Sequence, residues 1–177
     1  MKTTVKTKRR HAWMFGLMTV AVFLTAGMLP AKSFAAKPDF TGTWKLNEAK
    51  SEIGEGRFRP SATLEVKQDK TNLTVVRTRT GRDGQERKME SVYSLDGKEK
   101  TTSGEQRTTT STAKWSEDGN SLVINSKSSF TREGQTFEVK NTETWTLGDK
   151  GATLTVKSHN SSSRGEFNST AVYDKGK

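Results

Sequence analysis

Cysteine is absent from all 177 residues. No disulfide can staple the fold, and no thiol can carry a lipid anchor. Histidine is nearly absent, since only His11 and His159 occur. A zinc site usually needs three or four Cys or His ligands, so no metal and no cofactor are expected. Serine is abundant, but beyond residue 35 only His159 could serve it as an imidazole base. That residue lies in the run Ser158-His159-Asn160-Ser161-Ser162-Ser163, which reads as a strand end and a solvated loop. Proline occurs only at 30, 38 and 60. Long helical periodicity is missing too. One short helical turn is expected near Asn47-Glu48-Ala49-Lys50-Ser51, capped by Asn47.

Acidic residues are missing from the first 35 positions, which carry six basic ones. An apolar run from Ala12 to Leu29 follows the basic head, and then comes Ala31-Lys32-Ser33-Phe34-Ala35-Ala36. Basic head, apolar middle and small-residue exit describe a secretory signal peptide over 1–35. Cleavage after Ala35 or Ala36 fits the small-residue positions. The alternative is an uncleaved anchor, since about 18 apolar residues can span a bilayer. Processing leaves one domain over 36–177, periplasmic or extracellular, with no stable membrane span. The formal charge of +10 then shrinks to +4, from 24 basic and 20 acidic groups. That mixed, modest charge favours solubility over a nucleic-acid footprint, and no nucleic-acid partner is expected.

What is abundant is Thr, Ser, Val and Gly, residues of strands and turns. Strands are predicted over 40–46, 62–68, 72–80, 86–95, 98–103, 107–116, 120–130, 135–147, 151–159 and 166–174. Gly81-Arg82-Asp83-Gly84, Asp96-Gly97, Asp118-Gly119 and Glu133-Gly134 supply hairpin turns between them. A meander of this length leaves two exposed edges unless it closes. The expected fold is all-β, a single antiparallel up-and-down barrel of 8–10 strands. An open two-sheet sandwich is the alternative.

Alternation assigns the faces. Expected inward sets are Leu73, Val75, Arg77, Arg79; Ser91, Tyr93, Leu95; Thr109, Ser111, Ala113, Trp115; Leu122, Ile124, Ser126, Ser128; Asn141, Glu143, Trp145, Leu147; and Leu154, Val156, Ser158. Neighbouring strands of a meander run in opposite directions. The apolar ends therefore gather at one end, a dry floor holding Trp44, Trp115 and Trp145. Charged and polar ends gather at the other, as a wet upper interior.

The stretch Phe40-Thr41-Gly42-Thr43-Trp44-Lys45-Leu46-Asn47, with Lys50-Ser51 after it, resembles the start of the lipocalin-like (calycin) proteins exported by bacteria. Gly42-Thr43-Trp44 matches the Gly-x-Trp of the first lipocalin strand. The resemblance implies an open barrel mouth and an internal cavity, and it names no catalytic residue. A Thr-Asp-Tyr loop motif is not found, and no Arg ends the last strand to pack on the Trp. Lys175 is the nearest basic group.

The candidate ligand-binding residues are Arg77, Arg79, Tyr93, Asn141 and Glu143. Two Arg separated by two positions share one strand face, and each guanidinium presents a planar fork suited to a carboxylate or phosphate. They could receive the anionic head of an amphiphile, or simply pair with Glu143 at the rim. The expected function is a monomeric, exported barrel holding a small amphipathic or anionic molecule. Two alternatives stand beside it. One is a binding or inhibitor module that contacts another exported protein through its mouth loops, Phe58 among them, and has a filled interior. The other is an enzyme using Glu143 and a rim Arg.

Overall fold

The computed structural model describes residues 36–54, 59–81, 83–104, 107–132 and 134–176. The signal segment 1–35 and Phe58 lie outside the described residues. Among the described residues, eleven strands form one antiparallel sheet. They are β1 (Gly42–Leu46), β2 (Glu52–Ile53), β3 (Thr63–Gln68), β4 (Asn72–Thr80), β5 (Glu86–Ser94), β6 (Lys100–Ser103), β7 (Arg107–Trp115), β8 (Ser121–Arg132), β9 (Gln135–Gly148), β10 (Thr153–Ser162) and β11 (Gly165–Lys175). The order round the sheet is β5-β4-β3-β1-β11-β10-β9-β8-β7-β6, with two-residue β2 attached to β11 outside that path. Every neighbouring pair along the path is antiparallel, as the hairpin turns predict.

The turns form where side chains satisfy the bent backbone. Asp96 accepts from Ser94 Oγ at 2.7 Å and from Lys98 N at 2.9 Å, with Gly97 at φ +79°. Asp118 accepts from Asn120 N at 3.1 Å beside Gly119. Both are Asx turns, in which a short carboxylate replaces a backbone acceptor. The one-turn helix at Glu48–Lys50 is capped by Asn47, whose Oδ1 accepts from Lys50 N at 3.2 Å. His159 differs from its expected place. β10 runs on to Ser162, so His159 lies within a strand, exposed and paired with Asn168 Oδ1 at 2.7 Å.

Closure is nearly complete. β1 joins β11 and β3, which knits the first and last strands together. The ladder stops at β5 and β6, and β5 packs beside β7 without strand pairing. Composition accounts for the seam. β6 has only four residues, and the upper part of β5 is Glu86-Arg87-Lys88-Met89-Glu90. Charges along an edge discourage pairing with another strand.

The core occupies the floor half. Phe40, Trp44, Leu73, Leu122, Trp145 and Leu154 are fully buried there, while Trp115 is only half-buried. Phe40 precedes β1 and is the floor's plug rather than a strand residue. Its ring stacks on Trp115 at 6.0 Å and meets Trp145 edge-on at 5.7 Å. Its carbonyl accepts from Trp44 Nε1 at 2.8 Å, so the buried indole N–H is satisfied. Gln68 clamps the segment from the β3 side, accepting from Phe40 N at 3.1 Å and donating to Pro38 O at 3.1 Å.

Gly42 is required by its surroundings. Its φ is +141°, and a Cβ there would stand 3.0 Å from Lys175 Cε. The Lys175 stem crosses this spot to place Nζ 5.3 Å from the centroid of the Trp44 ring. A lysine thus supplies the cation–π contact to the first-strand Trp.

Candidate ligand-binding site

Above the floor, the inward rows of β4, β7, β8, β9 and β10 turn from apolar to polar. On β4 the buried row Leu73, Val75 ends in Arg77, with Arg79 exposed at the mouth. On β9, Trp145 gives way to Glu143 and Asn141. β4 and β9 are not neighbours in the sheet, so Arg77 and Glu143 meet across the lumen. Arg77 Nη2 lies 2.9 Å from Glu143 Oε2, with side-chain exposures of 10% and 14%. Arg77 Nη1 donates to Tyr93 Oη at 3.0 Å. The guanidinium also lies 5.7 Å from the Tyr93 ring centroid and 5.9 Å from that of Trp145. Glu143 takes two further donors, Trp145 Nε1 at 2.9 Å and Asn141 Nδ2 at 3.0 Å.

This network fixes the charge states. Burial works against the Glu143 carboxylate, but Arg77, the Trp145 N–H and the Asn141 amide outweigh it and hold the carboxyl below its ordinary value. Burial likewise works against the Arg77 charge, and Glu143 and Tyr93 more than offset it. Arg77 is therefore a strut bound to its own carboxylate. Its fork is not free to take an anion. Tyr173, buried on β11, has its phenol pushed up, first by burial and then by the Glu143 charge.

The strut forms a shared wall between two spaces. One is a void of about 60 Å³ beside Ser61, Ala171 and Tyr173, room for about two waters. The other is a cavity of about 330 Å³ that runs to the seam. Met89, Val92, Tyr93 and Val139 give it apolar surface; Thr109, Ser111, Ser126 and Ser128 give it hydroxyls. Among the described residues, Met89 is the exposed large hydrophobic one, at the β5 side of the seam. Arg79 and Arg107 also border it.

Asn141 lines both spaces, and its Oδ1 is buried without a hydrogen-bond partner. Turning the amide over would set that oxygen against the Glu143 carboxylate. The orientation is thus fixed by the donation to Glu143, and Oδ1 has no protein donor. Tyr93, Arg77, Asn141 and Glu143 come together in one cluster. Arg79 stands apart, its Nε donating to Ser61 Oγ at 3.1 Å. Arg107 is not among the residues the sequence singles out, although the inward row Trp115, Ala113, Ser111, Thr109 extends to it.

Among the described residues, no group of three or more His, Cys, Asp and Glu is placed to hold a metal. Among them also, no helix is long and apolar enough to cross a membrane.

No known protein family matches the sequence, and no curated protein matches it. Among solved structures, the chain is similar to the zebrafish ileal bile acid-binding protein complexed with cholic acid. The identity is 14% and the TM-score 0.46, over 77% of this chain and 98% of that one.

Proposed function

We propose that the chain is exported and that its barrel binds a small amphipathic molecule in the upper interior, entering through the seam between β5 and β7. The observation that carries this is the 330 Å³ cavity, whose lining combines apolar side chains with hydroxyls and guanidinium groups. Ligand pockets begin at roughly 300 Å³, so the space suits a compact molecule. Export rests on the basic head, apolar run and small-residue exit of residues 1–36. A monomer fits a barrel whose free edges are short or charged.

The enzymatic alternative draws less support. Glu143 is held ionised by three donors, whereas a general acid or base works best with a pKa near ambient pH. The inhibitor alternative predicts a filled interior, and the upper half is not filled. Native mass spectrometry of the protein purified from its own host tests the proposal. A retained small molecule, one per chain, is expected. A bare mass from freshly secreted protein, together with no uptake of added amphiphiles, would overturn it.

A further inference from the structure

The geometry points to an anionic ligand, its negative group held by Arg79 and Arg107 rather than by Arg77. This rests on the cavity reading above and specifies the chemistry of its occupant. Five charged residues border the cavity: Arg77, Arg79, Arg107, Glu90 and Glu143. Arg77 and Glu143 cancel each other at 2.9 Å. Glu90 stands opposite Val76 in the register, on the outward face of β5, and is exposed. Arg79 and Arg107 remain, both on inward rows at the mouth end of their strands.

Neither is in an ion pair with a described residue. Arg79 gives Nε to Ser61 Oγ, and Arg107 lies 5.6 Å from the Phe130 ring centroid. They also repel one another. Although Arg79 is exposed as a residue, partial burial of its side chain first, then the Arg77 charge, push its pKa down; Glu143 and Tyr173 offset part of that, and Arg107 adds to it. Two like charges held at one opening without an ion-pair partner are relieved by an anion, and a carboxylate, sulfonate or phosphate accepts the guanidinium fork. The hydroxyls of Thr109 and Ser128, 2.9 Å apart, lie along the same wall; one donates to the other, which leaves the second free to donate to one of the anion's remaining oxygens.

The test compares two probes with the same ring system. 1-Anilinonaphthalene-8-sulfonate carries a sulfonate; N-phenyl-1-naphthylamine does not. Without the cation pair, the neutral and more apolar probe should bind better. The expected result is that the sulfonate binds at least about tenfold tighter than the neutral probe. That preference should fall as salt rises, with neutral binding unchanged. R79Q and R107Q should each weaken it and the double variant should abolish it, while neutral-probe uptake shows that the fold and cavity survive. K157Q, exposed on the outer face, should keep it. Equal binding of both probes would overturn the anion inference and leave the cavity reading standing. A preference that persists in R79Q/R107Q would overturn the residue assignment. Binding of neither probe would instead sink the cavity reading itself.

Discussion

Arg77→Met should be among the most damaging single changes in the barrel. The methionine fills much of the same space but leaves Glu143 buried without its counter-charge. With side-chain exposures of 10% and 14%, the pair belongs with buried ion pairs, not surface ones. Breaking such a pair by removing one partner costs about 3–5 kcal/mol, against at most about 1 kcal/mol for an exposed pair. The lower end applies here, because Trp145 Nε1 and Asn141 Nδ2 still hold the carboxylate. A loss of about 3 kcal/mol should lower Tm by roughly 6–12 °C. R77M/E143Q should recover about 1–3 kcal/mol of it, since glutamine keeps an acceptor for Trp145 and carries no charge. Acid titration separates charge from packing. The folded Glu143 value lies below the ordinary 4.5, so its contribution is complete above that pH and is lost as pH falls through the folded value. In R77M the Arg77 attraction is gone and the carboxyl moves up from its wild-type value, so the cost of the substitution should be full where Glu143 is ionised and shrink as acid protonates it. Urea unfolding of the three proteins across pH measures all of this. A cost for R77M below about 1 kcal/mol, or an unchanged acid limb, would refute the buried-strut reasoning.

Three other outcomes follow from the floor and the last strand. Phe40→Ala should cost about 3–5 kcal/mol and red-shift tryptophan emission, because it opens the space between Trp115 and Trp145. Gly42→Ala should cost about 1–3 kcal/mol in thermal melts, and adding Lys175→Ala should relieve only part of it, since the positive φ remains after the Lys175 clash is gone. Raising pH above about 10 should destabilise the wild type. The folded Tyr173 phenol is raised, so its stabilisation is full below the unfolded value and is lost as pH climbs toward the folded one; Tyr173→Phe should remove that part of the alkaline limb.

The strand series is legible because turn chemistry is local. Asp96-Gly97 and Asp118-Gly119 announce hairpins within a few residues, and alternation then sorts each strand into faces. Other features depend on contacts that no local pattern encodes. Alternation places Arg77 and Glu143 inside and offers their pairing as one reading, but it cannot say that Arg77 rather than Arg79 pairs, because β4 and β9 are not sheet neighbours and meet only across the lumen. Phe40 reads as a strand start, since its neighbours are strand formers; its role as plug depends on where the chain enters beneath Trp115. The seam is equally hidden. Lys100-Thr101-Thr102-Ser103 reads as one more strand of the meander, and its failure to pair with β5 is a property of both strands together. Arg107 lies one step beyond the inward row at Thr109 and can be found by continuing it.

The most direct measurement of ligand placement is amide chemical-shift mapping on titration with an anionic amphiphile such as anilinonaphthalene sulfonate. The shifts should concentrate at Arg79, Val92, Arg107, Thr109, Ser128 and Val139 around the seam cavity. Shifts centred instead on the outer groove at His159, Asn168 and Thr170, or absent altogether, would contradict an interior binding site.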